Sequence, residues 1–487
     1  MNSINIKKMK GINNPIIAQR FLADPYAMYY DGKVYVYGSN DSDSLIQDPD
    51  GSYPKNQYGN MKSINCVSSS DLINWSDEGE IQVADDVKKG KKGASAWAGN
   101  SWAPAVCYNT VAGKTKFFLY FANSAANIGV LSADSPTGPW IDPIGKPIIS
   151  RDMPGCEGVA WLFDPAVLVD DDGSAYIYFG GGVPEGKAEH PLTARVAKLA
   201  PDMVSLEGEP KLIDAPYLFE DSGVNKINGK YYYSYCTNWS EEADKAMGKA
   251  QISYMVSDNP MGPFEYKGEV MKNPGQSEYH SPEAWGNNHH CMHQIEDTLY
   301  MFYHSPQYEI DSQINFNNKA EGGCAYRTTY VDVVDVHEDG SLNVPCMTKT
   351  GTAKAIRNYN PYEANDAFVW ADGVTTDTVC NEDVKPHIVF NTNKGYIGIS
   401  GVGIEKEDNE LVLNIISNKS AGTISLYKDD INEANLVASV DIPEVSDGVK
   451  TYTCKCSSIV DKTTDIFIEY TSSNDDVELM LLDWKFQ

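Results

Sequence analysis

"FLADPYAMYYDGKVYVYGSND" runs from Phe21 to Asp41. It reads as two apolar strands joined at Asp31-Gly32, a pair that supplies the positive backbone angles a two-residue hairpin needs. Asp24, followed by Pro25, stands at the mouth of this otherwise sheet-like stretch. The pattern comes back. "FDPAVLVDDDGSAYIYFGGG" (Phe163 to Gly182) repeats it, with Asp164-Pro165 and an Asp172-Gly173 turn. "FEDSGVNKINGKYYYSYCTNW" (Phe219 to Trp239) repeats it with Asn228-Gly229. "WAPAVCYNTVAGKTKFFLYFANS" (Trp102 to Ser124) and "HHCMHQIEDTLYMFYHS" (His289 to Ser305) are two further copies.

Between the copies lie more strand-like pieces, among them "INCVSSSDLINW" (Ile64 to Trp75) and "ISYMVSDNPMGPF" (Ile252 to Phe264). No long stretch has helical periodicity. Five antiparallel sheets of about four strands each predict an all-β fold, a five-bladed β-propeller, in which the first strand of every blade lines a central channel. Asp24, Asp164, Glu220 and His289 hold similar positions in their repeats, so the fold is expected to gather them at one end of that channel.

Three acids in matching slots suit a specific chemistry. Inverting glycoside hydrolysis needs one carboxylic acid to protonate the leaving oxygen and one carboxylate to deprotonate water on the opposite face. A third acid nearby raises the pKa of the donor by like-charge repulsion. A lone Asp-Pro is more often a strand start, but three in register are not.

Bulk properties agree with this reading. The chain has 487 residues, which predicts more than one domain, and 30 of them are tyrosine, a residue suited to half-buried strands and to sugar faces. The formal net charge of −29 repels phosphate backbones and disfavours nucleic acid as a partner. No apolar run approaches the length of a membrane span. The opening "MNSINIKKMKGINNPIIAQR" lacks the apolar core of a signal peptide, so the expectation is a cytoplasmic protein, or a secreted one whose leader was removed. Ten cysteines without metal-type spacing read as free thiols.

The stretches "LADPYAMYYDGKVYVYGS", "SWAPAV", "FDPAVLVDDDGSAYIYFGG", "LFEDSGVNKINGKYYYSY" and "GNNHHCMH" resemble glycoside hydrolase family 43. The resemblance implies a propeller and an inverting mechanism, with Asp24 as general base, Asp164 as the acid that tunes the proton donor, and Glu220 as general acid. Ala23-Asp24-Pro25 departs from the Asn-Asp-Pro opening of the related retaining, fructan-cleaving propellers. Trp102 is a candidate for stacking on a sugar ring and Trp161 for a pocket wall. Asn288 is a candidate substrate ligand. The resemblance further implies that His289 sits near a water-mediated calcium and that Arg327 points into the channel near the general acid. "HHCMH" invites zinc, but strand alternation puts His289 and His290 on opposite faces. "DDDG" (Asp170 to Gly173) lacks the ligand pattern of a calcium loop and reads as an acidic turn.

The catalytic domain is expected over residues 1–345, and a linker with a β-sandwich over 346–487. The segments "PYEANDAFVWADGV" and "LLDWKFQ" resemble carbohydrate-binding module family 6, with Trp370 a candidate cleft residue and a calcium ion within the sandwich implied. The expected function is an exo-acting or debranching hydrolase releasing L-arabinofuranose from plant hemicellulose such as arabinoxylan, with no organic cofactor. The alternatives are a β-xylosidase, a bifunctional enzyme and a non-catalytic sugar-binding propeller.

Overall fold

The computed structural model describes residues 13–312, 325–342, 347–352, 362–363, 367, 369–371, 373–377, 386–404, 409–445, 448–457 and 462–487. The expected domain boundary after residue 345 lies outside them. Among the described residues the protein is all-β, with α-helix only at Glu241–Ala246 and Gln307–Asp311.

Five consecutive antiparallel sheets come first. They are β1–β4 (Leu22–Tyr30, Lys33–Asn40, Ser63–Ser69, Ser76–Gln82), β5–β7 (Trp102–Val111, Lys114–Asn123, Asn127–Ala133) and β8–β11 (Ala166–Val169, Ala175–Phe179, Ala194–Leu199, Lys211–Ile213). Then come β12–β15 (Leu218–Ile227, Lys230–Thr237, Ile252–Ser257, Glu265–Met271) and β16–β18 (His290–Ile295, Thr298–Ser305, Thr328–Val334). Strands pair in chain order within each sheet. Each sheet's first strand lies against the first strand of the next, and β16 lies against β1.

The turn chemistry is as read from the sequence. Tyr30 pairs with Lys33 and Ile227 with Lys230, which leaves two-residue loops at Asp31-Gly32 and Asn228-Gly229. All four of those residues have positive φ, as a type I′ turn demands. The Asp170 turn is an acidic turn, tied to the next sheet by Lys226 and by the Tyr231 hydroxyl. Two buried tyrosines show how a ring can pack inside while its hydroxyl stays paired. Tyr26 of β1 donates to the Val167 carbonyl of β8 at 2.7 Å, and Tyr235 donates to Pro216 at 2.8 Å.

Two further sheets follow. One contains 387–390, 410–418, 450–455 and 479–486, and the other contains 394–404, 422–428, 436–442 and 462–471. Ile388, Phe390, Leu413, Leu481 and Trp484 of one form a single apolar cluster with Ile397, Ile424, Leu426, Ile466 and Ile468 of the other. Asn74 anchors this region to the first sheet through Ser400, donating to its carbonyl and accepting from its N–H, both at 2.8 Å. Trp370 is in a short strand, and its side chain is outside the described residues.

Candidate active site

A cleft of about 400 Å³, open mouth included, is lined by Asp24, Tyr58, Met61, Trp102, Phe163, Asp164, Glu220, Asn287, His289 and Arg327. It holds all four residues expected to converge.

Backbone register explains how they converge, and it corrects the sequence reading. β1 bulges between Ala23 and Tyr26, and β5 between Trp102 and Ala105. The first residue inside each bulge, Asp24 (φ 47°) or Ala103 (φ 37°), is in the left-handed region, as is Asp164 (φ 47°) ahead of β8. In β12 the bulge between Glu220 and Gly223 holds Asp221 (φ 67°). The counterpart of Asp24 and Asp164 is therefore Asp221. Glu220 takes the preceding slot, which Trp102 and Phe163 fill elsewhere, and its longer side chain reaches the cleft from there.

Asp24 is surrounded by donors. Arg327 Nη1 donates to its Oδ1 at 2.7 Å and Ser39 Oγ to its Oδ2 at 2.6 Å. Its backbone N–H donates to His304 Nδ1 at 3.1 Å, while His304 Nε2 donates to the Asn287 carbonyl at 2.8 Å. Burial works to raise the Asp24 pKa, but the Arg327 guanidinium, with His304 and His289, outweighs it and holds the carboxyl well below the usual carboxylate range. Arg327 lines the same cleft as Glu220, and its charge acts on that residue too. It is clamped between Asp24 and Asp41, taking the latter at 2.9 Å through Nε and 2.8 Å through Nη2, and it lies 4.9 Å from the Tyr58 ring.

Glu220 has the opposite surroundings. Its Oε1 is buried without a hydrogen-bond partner. Burial pushes its pKa up to about 8, Asp24 and Asp221 add to the rise, and Arg327 opposes it. Asp164 is raised too, by burial first and then by Glu220 and Asp24. Two carboxyls coupled in this way titrate as a pair. The cleft thus holds a carboxylate kept ionised, Asp24, beside an acid pair, Asp164 and Glu220, that holds on to its protons, the two states that acid–base chemistry on a neutral substrate needs.

The remaining candidates divide. Trp102 lines the cleft and donates through Nε1 to the Tyr58 carbonyl at 2.9 Å. Trp161 stands one layer back, edge-on to Phe163 (5.5 Å) and Phe219 (5.1 Å). Gly182 makes room for it, since a Cβ there would come within 3.0 Å of the indole. Asn288 is a correction. Its amide is turned away to the carbonyls of Ala250 and Lys272, and its neighbour Asn287 lines the cleft instead. The three histidines of "HHCMH" do not converge: His290 faces Asp221 and Ser234, and His293 accepts from the Tyr29 N–H.

His289 lies 3.7 Å from Asp24, 3.8 Å from Asp164 and 3.2 Å from Asp221. Asp24 is committed to Arg327 and Ser39, and Asp221 to His290. Among the described residues no group of three or more His, Cys, Asp or Glu is arranged to hold a metal ion. Sequence reasoning passed over Ser39, Asp41, Tyr58, Met61, Phe163, Asp221 and His304. Only Asp221 carried a clear signal, because "LFED" aligns with "FLAD" when acid is set on acid.

Residues 12–342 match Glycosyl hydrolases family 43. An arabinoxylan arabinofuranohydrolase of Paenibacillus polymyxa is 39% identical over 493 residues, covering 99% of this chain and 75% of that protein. One from Bacillus subtilis is 39% identical over 464 residues, covering 92% of this chain and 87% of that protein. The crystal structure of a family 43 arabinoxylan arabinofuranohydrolase from Bacillus subtilis, in complex with cellotetraose, superimposes with a TM-score of 0.89 at 35% identity, covering 99% of both chains. With paired carboxyls in an all-β cleft and likeness running along nearly its whole length, the chain belongs to glycosyl hydrolase family 43.

Proposed function

We propose that this enzyme is an inverting, exo-acting or debranching hydrolase that releases L-arabinofuranose from arabinoxylan or related hemicellulose oligosaccharides. The observation that carries the reading is the contrast between Asp24, wrapped in donors, and Glu220, buried with a free oxygen beside other acids. The names of the relatives supply the substrate class.

In this reading Glu220 gives its proton to the glycosidic oxygen as the bond to the sugar breaks. Asp24 takes a proton from the water that attacks the opposite face of the anomeric carbon. Asp164, which accepts from the N–H of Asp221 next to Glu220, is the acid that tunes and orients the proton donor. Arg327 and Ser39 aim the Asp24 carboxylate, and Trp102 offers an aromatic wall to the sugar. We read the five sheets as the blades of a β-propeller spanning residues 1–345. Residues 346–487 then form a linker and a β-sandwich like that of carbohydrate-binding module family 6. Calcium takes no part in these steps. Its test is thermal unfolding with and without chelator, where stripping an ion held in either domain lowers the midpoint.

Aryl arabinofuranoside and aryl xyloside compared side by side, then arabinoxylan with product analysis, test the function. Arabinose as the main product supports it, and the proton NMR signal of the first-formed anomer reports inversion. Xylose as the main product would make the enzyme a β-xylosidase. Sugar binding without turnover, unaltered in Glu220→Gln, would make it a binding module.

A further inference from the structure

Asp221 is buried next to the proposed proton donor, and the steps above give it no task. Its carboxylate is held by His290 through Nδ1 at 2.5 Å and the backbone N–H at 3.2 Å, and it lies 3.2 Å from His289 Nε2. Its own backbone N–H donates to Asp164 Oδ2 at 3.1 Å. His290 is anchored from behind, with Nε2 2.7 Å from Ser234 Oγ. Gly223 leaves space for that anchor, since a Cβ there would fall 2.4 Å from Ser234 Oγ and 2.9 Å from His290 Nε2. One residue thus ties together the strained turn carrying Glu220, the neighbouring acid Asp164 and the cleft histidine His289.

We propose that Asp221 is a positioning residue for the leaving-group side of the reaction: with His290 and Ser234 it fixes the turn from which Glu220 delivers its proton. Several features support this. Asp221 occupies the repeat slot that in β1 and before β8 carries Asp24 and Asp164. Asp221 Oδ2, held by a histidine that is itself held by a hydroxyl, belongs to a buried hydrogen-bond chain of the kind that fixes geometry, while Oδ1 has no hydrogen bond and faces His289. The charged and titratable groups around Glu220 are Asp24, Asp164, Asp221, Arg327, Tyr58 and Cys236, and Asp221 is the one joined to it through the chain. The inference rests on Glu220 being the proton donor.

The test uses leaving-group dependence in the full-length enzyme. A poor leaving group, the sugar alcohol of arabinoxylan, needs the proton, whereas 2,4-dinitrophenolate does not. In Asp221→Asn, kcat/KM on arabinoxylan should fall by about tenfold or more and on dinitrophenyl arabinofuranoside by less than about threefold, because a displaced donor weakens proton transfer alone. Ser234→Ala, which breaks only the far end of the chain, should show the same split at smaller size and carries the test should Asp221→Asn not fold. Equal losses on both substrates, or none on either, would overturn the inference. Glu220→Gln is the control. A split there without one in Asp221→Asn or Ser234→Ala overturns this inference alone, and no split in Glu220→Gln overturns the assignment of the proton donor along with it.

Discussion

The β1–β2 and β12–β13 hairpins have nearly the same backbone, with a two-residue turn at one end and a bulge with a left-handed residue at the other. Their acids behave in opposite ways. Asp24 faces a guanidinium and a hydroxyl and stays ionised. Glu220, one register position earlier, faces acids and keeps its proton to about pH 8. A repeated scaffold therefore yields two chemistries, because what titrates a carboxyl is its neighbours and not its own strand.

The strongest way to break the comparison is to remove either acid. Asp24→Ala and Glu220→Gln should each lower kcat on arabinoxylan by about 10²–10⁴-fold. Only Glu220→Gln should recover on dinitrophenyl arabinofuranoside; identical behaviour of the two variants in steady-state assays would dissolve the distinction. Next in size is Arg327→Met, which leaves Asp24 and Asp41 buried without their shared cation. Unmasking buried charge in this way costs about 3–5 kcal/mol, to be read from denaturant unfolding. The acid limb of its kcat/KM profile should move up toward the ordinary carboxylate range.

The pH dependence sharpens the contrast further. Activity needs Glu220 protonated, so kcat/KM should fall as pH rises through about 8. Stability follows the same group. Its folded pKa is raised from the ordinary 4.5, so its contribution is full below that value and is lost as pH climbs to about 8. Between those limits wild type should lose up to about 1.4 kcal/mol per pH unit relative to Glu220→Gln. Parallel pH–stability curves for the two proteins would contradict this. The smallest expected effect is in Trp102→Phe, which loses the hydrogen bond to the Tyr58 carbonyl. It should cost about 1 kcal/mol and raise KM while leaving kcat nearly unchanged.

How far the sequence was legible depends on how local the signal is. Asp31-Gly32 and Asn228-Gly229 specify hairpins through their own backbone preferences, so those strands could be read directly. The acids at strand mouths could be read from repetition. Asp221 was missed because matching Glu220 to Asp24 by chemical role shifted the fourth repeat by one position. Asp41 closes the very hairpin that Asp24 opens, yet nothing local marks it as the partner of Arg327, 286 residues away. Asn288 and Asn287 are adjacent and identical in type, so only the path of the chain into β16 decides which one faces the cleft.

The sequence by itself determined the alternation, the turns and the recurrence of carboxyls at strand mouths, since each depends on residues within a few positions of one another. Tertiary structure alone decided which carboxyl is ionised. That outcome is set by desolvation and by charges brought together from distant sheets, Arg327 against Asp24 and Asp221 beside Glu220, and electrostatic energy depends on distance in space rather than along the chain.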